Sequence, residues 1–183
     1  MNTQKFFLTL MKPLFAVLPV MMAFWLIIPR TAISAENLPS ETYLPLALAT
    51  QAATAAMEKC KTDGYRVSVA VVGRSGRVKT LIRGDGAGPH TLNSSRKKAF
   101  TAASMRRPTS EFAQLITQVP SIQGLRDMDP NILILGGGLP IIMGGEVVGG
   151  IGVGGAPGGH LDDACAEAGL KSIGAEIKPP KKE

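Results

Sequence analysis

Residues 145–156 read GEVVGGIGVGGA, and no other stretch restricts the fold of this 183-residue chain so tightly. The apolar residues from Glu146 to Val153 read as a strand. Successive side chains of a strand point to opposite faces, so Gly150, Gly152 and Gly154 share one face and leave it bare. A bare face lets a helix or a flat ligand ring lie close to the backbone. The same letters satisfy the GxGxxG pattern of dinucleotide sites. That site requires a strand–helix–strand unit and an acid about 20 residues further on. Only 28 residues follow Gly155, and they read as helix and tail, which favours the structural reading.

The remaining segments follow from periodicity and turn residues. Leu46 to Lys61 reads as a helix with Leu46, Ala49, Ala53, Ala56, Met57 and Cys60 on one face, Pro45 in its first turn and Gly64 ending it. Tyr65–Val72 and Val78–Ile82 read as a hairpin around Arg74–Arg77. Arg83 to Leu92, with three glycines and a proline, reads as loop. Asn93–Met105 and Thr109–Gln118 read as helices, Thr109 being the candidate cap of the second, and Ser121–Pro130 as irregular chain. Asn131–Leu135 reads as a strand, 136–140 as a turn or bulge, Ile141–Met143 as a strand and Gly144-Gly145 as a hairpin turn. His160–Ile173 reads as a last helix interrupted late by Gly169. Hairpins rather than parallel crossovers dominate. The expected fold class is α+β, a central antiparallel sheet of about five strands with packed helices.

The N-terminus reads as an address. Lys5 and Lys12 precede an uncharged run from Pro13 to Pro29, and small residues follow at Ala32, Ser34 and Ala35. This is the pattern of a secretory signal. A helix over the run is slightly short for a bilayer, so a membrane anchor is the alternative. The expected organisation is a signal segment over 1–35, a linker over 36–45, a domain over 46–176 and a solvated tail over 177–183. The domain is expected to be exported, periplasmic or extracellular. Without Lys5, Lys12 and Arg30, 17 basic residues face 14 acids, a net charge of +3 instead of +6. No basic stripe interleaved with aromatics appears, which argues against nucleic acid. Cys60 and Cys165 lack metal-site spacing. They read either as small buried hydrophobes on Ala-rich helices, the plainer reading, or as a bridge in an oxidising compartment.

Catalytic signatures are weak. Ser75, Ser94, His90 and His160 occur, but no GxSxG elbow does. Asp162-Asp163 reads as favourable charge at a helix N-terminus. The most distinctive chemistry lies in RGDGAGPHTLNSSRKKAFT (83–101), where Arg83, Lys97 and Lys98 surround a glycine-rich loop carrying His90. Either this is a solvated helix face with a loop histidine, or it holds an anionic ligand with an imidazole in reach of a metal.

RGDGAGP (83–89), KKAFTAA (97–103), RPT (107–109), GGGLPI (136–141), GEVVGGIGVGGA (145–156) and DDACAEAG (162–169), taken in order, resemble the GlcG/HbpS family of haem-binding-like proteins. The resemblance runs from about Leu46 to Ile173. It departs at two turns: Gly73 stands where the family usually has aspartate, and Gly144 where it often has aspartate before glycine. The resemblance implies an α+β domain that assembles into homo-oligomers. It also implies haem binding in some members, with exported ones sequestering haem or feeding it to sensors.

The functional expectation is an exported binding protein for haem or a related tetrapyrrole, with an exported or membrane sensor as partner and more a carrier than an enzyme. Leu92, Phe100 and Met105 are the expected slot walls, and Arg83, Lys97 and Arg107 the propionate partners. His90 is the expected axial ligand, with His160 the alternative. Met105 and Met143 are weaker donors, and Thr91 and Thr109 stand behind them. The rival is an enzyme or enzyme-support subunit for a small organic acid or corrinoid-related substrate, with His90 as general base.

Overall fold

The computed structural model describes residues 40–177. The expected signal segment, the first four residues of the expected linker and all but the first residue of the expected tail lie outside them.

β1 (Ser68–Gly73) is the Val-rich run SVAVVG, buried along its whole length because it is central in the sheet. β2 (Val78–Arg83) returns beside it around Gly76, whose φ of 74° suits a residue without Cβ. β3 (Gly138–Met143) and β4 (Glu146–Gly154) form the second hairpin, turned by Gly144 and Gly145, both at positive φ. β4 inserts beside β1, giving the antiparallel order β2-β1-β4-β3.

Helices cover both faces. α1 (Leu46–Thr62) and α4 (Gly159–Ser172) pack on the face carrying Val69, Val71, Leu139, Ile141, Ile151 and Val153. α2 (His90–Met105) lies on the other face, where Ala99 and Ala103 meet Ala70 and Val72. The bare glycine face of β4 serves this helix and not a ligand ring. A Cβ on Gly150 or Gly152 would strike the backbone of Ala99 or Ser95. α3 (Thr109–Gln118) and a 3-10 helix (Pro120–Arg126) follow α2.

Several expectations change. The sheet has four strands, because Asn131–Leu135 pairs with none. The amides of Asn131, Ile132 and Leu135 bond locally to Asp129 and Leu133, and helix side chains take further polar groups. Asn131 accepts from Arg96 at 3.0 Å, the Leu133 amide donates to Thr101 Oγ1 at 2.8 Å, and the Leu135 carbonyl accepts from Thr109 Oγ1 at 2.7 Å. β3 begins inside the expected turn at 136–140, and Pro140 is tolerated because β3 is an edge strand. α2 begins at His90, so the loop ends at Pro89, whose fixed φ suits the residue before a helix. Thr109 is the first helical residue of α3 and caps nothing; its hydroxyl also accepts the Gly138 amide at 2.9 Å. Gly169 does not interrupt α4. A Cβ there would lie 2.6 Å from the Ala52 carbonyl, so the glycine brings α4 against α1. Leu46 is 58% exposed, whereas Leu44, read as linker, is 1% exposed and joins the core. Cys60 and Cys165 are bridged, with Cα atoms 5.5 Å apart, and staple α1 to α4.

Candidate functional site

The glycine-rich loop after β2 is held by its own chain. Arg83 Nε donates to the Ala87 carbonyl at 2.9 Å, which fixes the 84–87 turn. Thr91 Oγ1 bonds the Gly88 carbonyl at 2.6 Å and Ser68 Oγ at 2.7 Å, seating the first turn of α2 on the start of β1. Ser68 pairs with Gly154, and α4 starts five residues beyond it. Both α2 and α4 therefore begin at the same end of the sheet. Each presents an exposed histidine there, His90 and His160. Each ring folds back over the glycine two residues earlier: Cε1 lies 2.6 Å from where a Cβ on Gly88 would stand, and 2.7 Å for Gly158.

Lys97 is half-buried and lies two helical turns from His90 on the same stripe, about 10 Å along the axis. Arg83 and His90 thus lie at one end of the domain, and Lys97 lies midway along α2. The other candidates do not join them. The Phe100 ring packs over Gly76 of the β1–β2 turn. Arg107 lies past the far end of α2, with its Nε on Glu111 Oε2 at 3.0 Å and its guanidinium 5.5 Å from the Phe112 ring centre. The 15 helical steps from His90 to Met105 put the two ends of α2 about 22 Å apart, too far for one porphyrin within a single copy. Leu92 and Met105 sit near opposite ends of α2 and Met143 packs against the core, while Thr91 and Thr109 are buried and already bonded.

The structure also reveals a charge pair that sequence reasoning missed. Lys98, read as one of the cations around the glycine-rich loop, is buried. Its Nζ donates to Asp162 Oδ2 at 2.8 Å and to the Val153 carbonyl at 2.9 Å, with the two charged side chains only 3% and 4% exposed. Asp162 Oδ1 accepts the Ala156 amide at 3.1 Å, and Asp163 Oδ1 accepts the Gly137 amide at 2.6 Å. Gly137, at φ 111°, cannot carry a side chain, because Asp162 and Lys98 occupy its place. Burial pushes the Asp162 carboxyl up from its ordinary value, against the pull of the Lys98 ammonium. Burial raises Asp163 too, against the Gly137 amide and Ser110. The helical phase held the signal: position 98 falls with Thr91, Ser95 and Ala102 on the sheet-facing side of α2.

Two clefts open beside the sheet. One, of about 350 Å³, lies between residues 41–44 and the β1–β2 turn. Most of its charges are engaged: Arg74 meets Glu41 and Glu146, and Lys79 sits 3.6 Å over the Tyr43 ring, while Arg77 has no carboxylate within salt-bridge distance among the described residues. The other, of about 420 Å³, lies between the end of α1 and the end of β2 and includes Arg83. Neither contains a histidine. Among the described residues no three His, Cys, Asp or Glu side chains gather as a metal site.

The model of the family described as "Haem degrading protein HbpS-like" matches residues 44–171. A crystal structure of a Streptomyces reticuli HbpS double mutant is 48% identical, with a TM-score of 0.70 over 78% of this chain and 94% of that one. Protein GlcG of Escherichia coli K12 is 29% identical over 99 residues, 54% of this chain and 72% of GlcG. The crystal structure of a PduOC:heme complex, 23% identical, shares the fold with a TM-score of 0.69 over 74% of this chain and 99% of that one.

Proposed function

The chain belongs to the HbpS-like family, and on that premise we propose that its domain is an exported haem-binding protein that sequesters haem or passes it to a partner. The observation that carries this reading is the exposed His90 imidazole. It makes no hydrogen bond to the described residues and stands at the same end of the domain as Arg83, with Lys97 two turns along α2. A neutral imidazole suits iron, and the two cations suit propionates. Haem, when bound, would supply the iron and the flat apolar ring; His90 would hold it through its imidazole, and Arg83 and Lys97 would hold its carboxylates. His160, at the same sheet end, is the alternative donor.

Among the described residues no slot encloses His90, so the facing wall comes from a second copy in a homo-oligomer. Phe100 and Arg107 enter the haem site only through that second copy. Export is supported by the Cys60–Cys165 bridge, since such bonds persist in oxidising compartments.

A haem titration of the purified domain, followed at the Soret band with protoporphyrin as the metal-free control, tests the reading. His90→Ala is expected to shift the Soret maximum and weaken haem more than protoporphyrin, whereas His160→Ala changes either little. An unchanged spectrum and affinity in His90→Ala would remove His90 as the ligand. Failure of the wild type to bind haem would remove the function. Loss of the bound Soret band over time with a reductant present would add haem degradation to binding.

A further inference from the structure

We propose that the cleft between the end of α1 and the end of β2 is a binding site for a small organic anion bearing one carboxylate on an apolar body. A free acid would bind this cleft whether or not the domain also binds haem, whereas a propionate would reach it only if the haem reading holds. It holds about 420 Å³ and is lined by Met57, Lys61, Arg66 and Arg83, with Glu58 and Asp85. Its apolar part is shaped by an absent side chain: Met57 Sδ lies 3.1 Å from where a Cβ on Gly84 would stand. Val67, fully buried, backs it.

The cations are positioned and unspent. Arg83 is anchored through Nε and Nη2 on the Ala87 carbonyl, which leaves its charge without a carboxylate partner. The Arg66 stem lies against Gly86, its Cδ 3.0 Å from where a Cβ there would stand. Among the described residues neither arginine nor Lys61 has a carboxylate within salt-bridge distance, whereas the neighbouring Lys59 is taken by Asp63. The last carbonyls of α1 are occupied by the amides of Asp63, Gly64 and Tyr65, so the negative end of the helix is largely satisfied. Three cations against two carboxylates leave one positive charge in the cleft. That balance suits a monocarboxylate, while a phosphate dianion would meet both Glu58 and Asp85. Guanidinium groups held in place are good carboxylate donors. A free organic acid and a porphyrin propionate both present this group.

Calorimetric titration of the purified protein with sodium benzoate, inorganic phosphate, haem and haem dimethyl ester tests the site and separates its two sources. Saturable benzoate binding, weakened about tenfold or more in Arg66→Gln and in Lys61→Gln, supports a free acid. Tighter binding of haem than of its dimethyl ester, with the difference lost in the same variants, supports a propionate. Both residues are exposed, so the urea midpoint is expected to stay unchanged and to confirm that the variants fold. The proposal is overturned if benzoate does not saturate and haem and its ester bind alike. It is also overturned if binding survives in the Lys61→Gln, Arg66→Gln double variant, or if phosphate binds more tightly than benzoate. A wild type that binds no haem leaves the benzoate titration to decide alone.

Discussion

Lys98 brings a full charge into the interior, and the fold tolerates it because the ammonium has two fixed acceptors, Asp162 and the Val153 carbonyl. Removing one partner strands the other in a dry place. Lys98→Met or Asp162→Leu is therefore expected to cost about 3–5 kcal/mol, and the double substitution much less than the sum. Urea unfolding of the three variants checks this; strict additivity would mean that the pair does not interact. Asp163 gives a pH signature. Its folded carboxyl titrates above the ordinary 3.8 because burial disfavours the anion. Its contribution to stability is thus greatest below the unfolded value, declines as pH rises towards the raised folded value, and is flat above it. Asp163→Asn keeps an acceptor for the Gly137 amide and removes the titration. Relative to this variant the wild type is expected to lose stability as pH rises above the ordinary carboxylate value, measured by urea midpoints; a constant difference would contradict it.

At the scale of the element, α2 and β4 are built for each other. The glycine alternation on β4 announces that something lies close to its backbone, and the Ala-rich phase of α2 supplies that something. Gly152→Ala is expected to destabilise the fold by about 1–3 kcal/mol or more, because the added methyl meets the Ser95 carbonyl and the Ala99 amide. Gly124→Ala, in the 3-10 helix with nothing within 4 Å of its Cβ position, is expected to be neutral or stabilising by up to about 1 kcal/mol. Equal melting temperatures for the two variants would show that the α2–β4 approach is not tight. The segment Asn131–Leu135 shows the opposite relation. Its letters are those of a strand, yet Arg96, Thr101 and Thr109 take three of its hydrogen bonds, and nothing in the segment itself tells of those distant side chains.

At the scale of the molecule, the Cys60–Cys165 bridge links residues 105 apart and joins two helices on one face of the sheet. A cross-link of that span restricts the unfolded chain strongly. Its loss through paired Cys→Ala substitution is expected to cost about 2–5 kcal/mol. Unfolding with and without reductant checks this, and a wild-type curve insensitive to reductant would count against the bridge. N-terminal sequencing of the exported protein is expected to begin near Ala35 or Glu36; Met1 on detergent-extracted protein would instead indicate an anchor. Sedimentation is expected to show a homo-oligomer at micromolar concentration, and a monomer there would remove the second wall proposed for His90.

Local chemistry alone determined the helix of residues 109–118, both hairpin turns, the antiparallel class of the sheet and the bare face of β4. Each follows from propensity, period and the backbone freedom of glycine, which act within a few residues. The family was legible too, from motifs in order. Only the tertiary structure decided the strand count, the bridge, the burial of Lys98 and the separation of Arg107 from His90. Each depends on which distant segment arrives beside the residue. Lys97 and Lys98 are the same letter at adjacent positions, and only one of them meets a carboxylate 64 residues away. The sheet-facing stripe of α2 marks that position for burial, but packing supplies the partner that makes a buried ammonium tolerable.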